Sequence, residues 1–184
     1  MSNIIPQNEN SIAAKLYVTA NSTANRNFVT LWSLLSSTRT EDGKLFLSQV
    51  LDTVNGNGFT LFAPTDQAFQ DANNSLMRDK GISLSDLKVE DVRKTLLYHV
   101  LEGLIMSTGL RDGATPTTLS GKNLCVSIKE MGNMKQYFVN GAQVVSPNIK
   151  CTNGVIHVID KVLMPVDECD RDFLLSKRSD KKKY

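Results

Sequence analysis

Cysteine and histidine are both scarce in this chain of 184 residues, and their scarcity narrows its chemistry. Cys125, Cys151 and Cys169 form an odd set with no CxxC pair and no histidine at zinc-ligand spacing, which argues against a zinc site. At most one disulfide forms while one thiol stays free. The plainer reading is three reduced thiols, two of them packed in or near strands. The two histidines, His99 and His157, stand in no CxH or HxH cluster. No apolar run approaches the roughly 18–20 residues of a membrane span. A net charge of +2 is too small for a nucleic-acid platform. The opening MSNIIPQNENSIAAK shows no charged region followed by an apolar one, so no signal peptide is visible. There is no G-x-S-x-G elbow, no phosphate-cradling glycine loop and no internal repeat, so nucleophilic or phosphoryl-transfer catalysis has no foothold. No cofactor is expected.

What is present suits one globular domain. Hydrophobic residues make up 41% and charged residues 22%, enough to build a core. Residues 1–24 are rich in Asn, Ser, Thr and Ala and read as a loosely held lead-in; residues 25–166 form the domain. Residues 167–184 form a polar tail ending in KRSDKKKY. Three readings stay open for that tail: a solvated end, attachment to an anionic membrane or polysaccharide, and a nuclear-localisation signal. Asn21-Ser22-Thr23 and Asn73-Asn74-Ser75 are glycosylation sequons, relevant only if the chain is exported.

The hydrophobic period starts helical. Phe28, Leu31, Trp32 and Leu35 share one helix face, and Leu47, Val50, Leu51 and Val54 repeat the spacing, ended by Asn55-Gly56-Asn57-Gly58. Phe59 to Ala63 is a short buried strand stopped by Pro64, after which Thr65 or Asp66 caps a helix through Phe69. Val89, Val92, Leu96 and His99 or Val100 predict another inward stripe. His99 falls in its last turn, where the helix dipole favours a protonated ring. From there the period becomes two. Leu124, Val126 and Ile128 alternate as in a half-exposed strand, and Gln136–Val139 and Ala142–Val145 flank the hairpin signal Asn140-Gly141. Asn153 to Pro165, NGVIHVIDKVLMP, is a strand buried on both faces between turn signals. Its parity puts Val155, His157 and Ile159 on one face and Ile156, Val158 and Asp160 on the other. His157 and Asp160 are therefore poor catalytic partners. Helices first and strands later, mostly antiparallel, predict an α+β domain.

Both histidines sit among apolar residues, where a buried imidazole is satisfied by backbone or hydroxyl partners, so both read as structural. Tyr98 lies beside the Val92–Leu96 stripe. That position lets the ring bury and leaves the hydroxyl reachable; core packing is the default reading, and a contribution to a partner surface is the alternative.

Four stretches, in order, resemble the fasciclin-like domain family, an adhesion module. Thr60 to Phe69 (TLFAPTDQAF) is similar to its first signature, through Thr60, Phe62, Ala63, Pro64, Thr65, Asp66 and Phe69. Tyr98-His99 in LLYHVLEG resembles its Tyr-His motif. VNGAQVV, with Asn140 and Gly141, resembles its hairpin. The stretch with Asn153, Gly154, His157, Asp160 and Pro165 resembles its second signature. The resemblance implies a wedge of β-strands with helices packed along one edge. It also implies a non-enzymatic role in adhesion to a cell-surface or matrix protein or glycan, outside the cell. Integrin contact in such proteins is attributed to the Tyr-His region, here Tyr98 and His99, and to Asp-Ile pairs. No Asp-Ile pair occurs here, Asp86-Leu87 being nearest. Some members bind carotenoids, which makes a small lipophilic-ligand carrier, lined by apolar helices near Phe28 and Trp32, the alternative function.

Overall fold

The computed structural model describes residues 6, 8–24, 27–39, 51–52 and 56–165. Its elements are helices α1 (Ile12–Ala20) and α2 (Val29–Ser37), strand β1 (Phe59–Pro64), helices α3 (Asp66–Lys80) and α4 (Val89–Tyr98), and strand β2 (Val100–Glu102). Four strands follow: β3 (Val126–Met131), β4 (Met134–Val139), β5 (Ala142–Cys151) and β6 (Gly154–Ile159). The six strands form one sheet in the order β2-β1-β6-β5-β4-β3. The expected α+β class is what the structure shows, with helices leading and antiparallel strands following. The second helix expected over Leu47–Val54 lies outside the described residues, apart from Leu51, which is buried.

β6 lies inside the sheet and is buried at every position, His157 included, as expected of a largely apolar run. It pairs in parallel with β1, from Phe59↔Gly154 to Pro64↔Ile159, and antiparallel with β5. Strict alternation along β1 and β6 divides the interior in two. Leu61, Ala63, Ile156 and Val158 face a cluster with Leu16, Leu31, Leu35 and Phe69 of the helices. Phe62 and Ile159 face a second cluster with Tyr98, Leu124, Val126, Val139 and Leu163. Each such aliphatic or aromatic side chain contributes about 1.5–3 kcal/mol by leaving water.

The lead-in expectation for residues 1–24 needs correction over its second half. Ser11 caps α1, its hydroxyl accepting from the Ala14 N–H at 3.1 Å. Ile12, Ala13, Leu16 and Ala20 of that helix are buried. The stripe is real but short, and its Asn/Ser/Thr-rich surroundings hide it in a composition count. Val89 also departs from the predicted inward stripe, being 70% exposed. At the first turn of α4 it stays exposed, while Leu96, two turns on along the same face, carries the burial. The cysteines are corrected too. Cys125 is disulfide-bonded and Cys151 is a free thiol, whose pKa burial pushes up to about 11. Linear spacing carries no information on which thiols meet in space, which is why the all-reduced reading failed; Cys169 lies outside the described residues.

Candidate functional site

The residues singled out from the sequence fall around the β1–β6 pair, and most engage main-chain atoms of distant segments. Thr65 caps α3 as expected, its hydroxyl accepting from the Ala68 N–H at 3.1 Å. Asp66 does something the sequence does not show. Its carboxylate accepts from the N–H groups of Val29 (3.1 Å) and Thr30 (2.8 Å), capping α2 from the neighbouring helix. That outside cap is needed because Phe28 precedes α2 in a left-handed conformation (φ 61°) with no side-chain cap of its own. Thr60 donates its hydroxyl to the Gly103 carbonyl at 2.7 Å and accepts from the Ile105 N–H at 2.9 Å.

Tyr98 is fully buried, ring and hydroxyl alike. The hydroxyl donates to the Asn123 carbonyl (2.8 Å) and accepts from Asn140 Nδ2 (2.6 Å). Asn140, at φ 47° in the Asn140-Gly141 turn, accepts at its Oδ1 from the Cys125 N–H (2.7 Å). This corrects the reachable hydroxyl read from the helical wheel: α4 does turn Tyr98 sideways, but the chain at Asn123 and Asn140 covers it. Tyr98→Phe is expected to lower stability by roughly 1–2 kcal/mol in urea titration, since it leaves Asn140 Nδ2 and the Asn123 carbonyl short of a partner. An unchanged denaturation midpoint would show that this network contributes nothing.

The two histidines are neutral, each in a tautomer fixed by its partners. His99 Nδ1–H donates to the Thr95 carbonyl (2.7 Å), and Nε2 accepts from the Leu163 N–H (2.9 Å). His157 Nε2–H donates to the Ile105 carbonyl (2.8 Å), and Nδ1 accepts from the Asn148 N–H (3.2 Å). Phe62 stacks on His157 with ring centroids 5.5 Å apart. Burial drives the His99 pKa down from 6.5 to about 4, the Thr95 carbonyl opposing it, and lowers that of His157 for the same reason. Desolvation thus overrides the helix dipole expected to favour a charged His99.

A pH dependence follows. The unfolded chain takes up a proton near pH 6.5 and the folded chain only near 4, so stability is full above 6.5 and falls as pH drops toward 4. For His99 alone the loss amounts to about 3 kcal/mol by pH 4, with His157 adding in the same direction. Urea midpoints at pH 7, 5.5 and 4 measure it; a flat profile would contradict the buried, neutral assignment.

Asp160 accepts at its carboxylate from the Gln143 N–H (2.7 Å), while His157 engages residues 105 and 148, so the two do not act together. Sequence reasoning missed three bridging amides. Asn153 accepts from the buried Ile12 N–H (2.8 Å) and donates to the Leu51 carbonyl (2.6 Å). Asn148, at φ 64° within irregular β5, accepts from the Ser107 N–H at 2.8 Å and donates to its hydroxyl at 2.7 Å. Asn27 accepts from the N–H groups of Phe28 and Asp66.

Among the described residues, no group of three or more His, Cys, Asp or Glu is placed to hold a metal ion. An open groove of about 570 Å³ runs between α3 and residues 160–164, with Ala68, Ala72, Leu76, Val162 and Met164 as its apolar part and Asp71, Asp79, Lys80 and Lys161 among its polar part. A second, apolar cavity of only about 40 Å³ lies over His99 between α2, α3 and α4. Of the two sequons, Asn21 is exposed at the C-terminus of α1, whereas Asn73 is half-buried inside α3 with its Oδ1 accepting from the Leu84 N–H (2.9 Å).

Comparison with known proteins identifies the family. A family model described as Fasciclin domain matches residues 33–165. The chain is 36% identical over 107 residues to Protein sll1483 of Synechocystis sp., covering 58% of this chain and 55% of that protein. It is 31% identical over 142 residues to Periostin of Homo sapiens, covering 77% of this chain and 15% of the relative. It is 32% identical over 138 residues to Cell surface glycolipoprotein MPT83 of Mycobacterium tuberculosis, covering 74% and 54%. A solved FAS1 domain pair from the insect cell adhesion molecule Fasciclin I overlaps 58% of this chain and 37% of its own, at 22% identity and a TM-score of 0.44. The chain spans about half or less of the length of these three curated relatives. No described helix is long and apolar enough to cross a membrane. With the family model matching from Ser33 to Pro165, the chain belongs to the fasciclin domain family.

Proposed function

We infer that this chain is a non-enzymatic adhesion or interaction module that binds a protein or glycan at a cell surface or in a matrix. One observation carries the reading: the signature residues face inward, and most of their polar groups serve main-chain partners rather than a reacting centre. Recognition is then left to the outer surface. Tyr98 and His99 contribute to binding by holding that surface in place, since neither is more than 2% exposed. The β3–β4 hairpin is a suitable contact element, because residues 129–135 are all exposed and Met131 and Met134 pair across its end at 61% and 71% exposure. Exposed methionines adapt to partner surfaces and are enriched in interfaces. The relative named as a cell surface glycolipoprotein supports the location outside the cell.

The test is saturable binding of the intact protein to cell surfaces, matrix extract and a glycan array at two salt concentrations, with Met131→Asp/Met134→Asp as comparison. Binding that the double variant weakens at unchanged melting temperature supports the reading; no binding on any of the three sinks it. The carrier alternative, expected near Phe28 and Trp32, draws instead on the 570 Å³ groove, which neither residue lines and whose volume falls within the range of small-molecule sites. A coloured preparation, or a lipophilic molecule in its organic extract, would favour it.

A further inference from the structure

Residues 161–165 follow β6 with no strand or helix assignment, yet they form the shared wall of both cavities through Val162 and Met164. Among the described residues, one hydrogen bond ties their backbone to the rest of the fold, from the Leu163 N–H to His99 Nε2 at 2.9 Å. The acceptor is a ring nitrogen that can itself take up a proton. Once Nε2 carries a hydrogen it faces the Leu163 N–H as a second donor, and the bond cannot form. The opposite nitrogen offers no way out, because Nδ1–H is already committed to the Thr95 carbonyl.

We propose that neutral His99 is a latch holding residues 161–165 closed over the helices, and that protonation of its Nε2 by solvent releases this segment before the domain unfolds. Among the described residues lining the cavity at His99, none supplies a counter-charge to the ring. Leu31 and Leu34 of α2, Phe69 of α3, the turn at Leu84 and Leu87, and Val162 and Met164 of the segment are uncharged, as are Thr95 and Leu96 on its own helix. From β1, the Phe62 N–H donates to the His99 carbonyl. The charges nearest in sequence on the segment are occupied elsewhere, the Asp160 carboxylate by the Gln143 N–H and Lys161 Nζ by the Gly141 carbonyl. A protonated ring must therefore reach water, and the moveable wall is the short one. Removing Val162 and Met164 would join the 570 Å³ groove and the 40 Å³ apolar cavity into one cleft. The fold thus contains an acid-released strap over an apolar recess.

Amide hydrogen exchange by NMR on the whole chain, corrected for intrinsic rates, tests this. Leu163 should exchange faster than the Phe62 amide through an opening insensitive to low urea, and its opening constant should rise ~20-fold from pH 7 to 5 while near-UV dichroism stays native. His99→Gln should flatten that rise at Leu163 and leave the pH response of the Asn148 amide, which faces His157, in place. Should that variant fail to fold, the wild-type comparison decides alone. If Leu163 and Phe62 share one urea-sensitive opening at both pH values, or Leu163 shows no rise, the latch is refuted.

Discussion

Gly154→Ala is expected to leave this domain unfolded, or less stable by more than about 4 kcal/mol, a loss comparable to the whole stability of many domains. An alanine Cβ there would lie 2.0 Å from the Phe59 carbonyl oxygen, 2.8 Å from its carbon and 2.9 Å from Ile12 Cδ1. The closest obstacle is backbone, so no side-chain rotation relieves it. Phe59 cannot retreat either: it is register partner to Gly154 in the parallel β1–β6 pairing, and its N–H donates to the Asn153 carbonyl at 2.9 Å. Moving it would part the central strands where they begin to pair. Soluble yield, near-UV dichroism and urea midpoint report the outcome. Gly132→Ala is a useful control, since a Cβ at that hairpin end meets nothing within 4 Å and only the positive φ of 61° opposes it. A Gly154→Ala protein as stable as wild type would mean that β1 and β6 do not approach as closely as described.

Asn153→Ala is the second large loss, at about 4 kcal/mol. Its amide is the partner of two buried main-chain groups, the Ile12 N–H and the Leu51 carbonyl, from segments 141 and 102 residues away in sequence. Truncation strands both in the core, and each orphaned group costs ~1–3 kcal/mol beyond the packing lost. The damage has an address. The Ile12 N–H opens α1, so the helix should detach first and limited proteolysis should cut between Ser11 and Phe28 before the sheet opens. Cleavage of variant and wild type at the same rate and place would show that α1 is held by its apolar face alone.

What could be read from the sequence was local. Thr65, one of two capping candidates, and the Asn140-Gly141 turn each act within a few residues and stand where they were expected, whereas the alternation through Leu124, Val126 and Ile128 does not hold, because Cys125 and Ser127 are buried as well. The division of β6 into two faces was equally legible, because strand parity needs no partner. The parallel pairing of β1 with β6 was not, since nothing in Phe59–Pro64 names a strand some ninety residues later. Tyr98 and His99 show the same limit at single side chains. The helical period gave their direction on α4 correctly, but the chain at Asn123, Asn140 and Leu163 that covers them arrives from elsewhere. For His99 the competing effects were both familiar, helix dipole against desolvation. Only burial, a property of the assembled fold, decides between them. Asp66 failed in kind: a capping residue was recognisable, but not which helix it caps.

The ties made by Thr60, Asp66, Tyr98, His99, Asn153 and His157 nearly all end on peptide N–H and C=O groups. Every non-proline residue offers those groups, whatever its side chain. Dependence therefore runs one way. Exchanging the bolt breaks the joint, whereas Val29, Thr30, Leu51, Ile105, Asn123 and Leu163 owe the joint nothing beyond a backbone in the right place. A saturation scan of the chain should find intolerance concentrated on the side-chain ends of these bonds, with the opposite ends restrained only by their own packing. A domain built so can hold its frame with few fixed letters and rewrite most of its exterior.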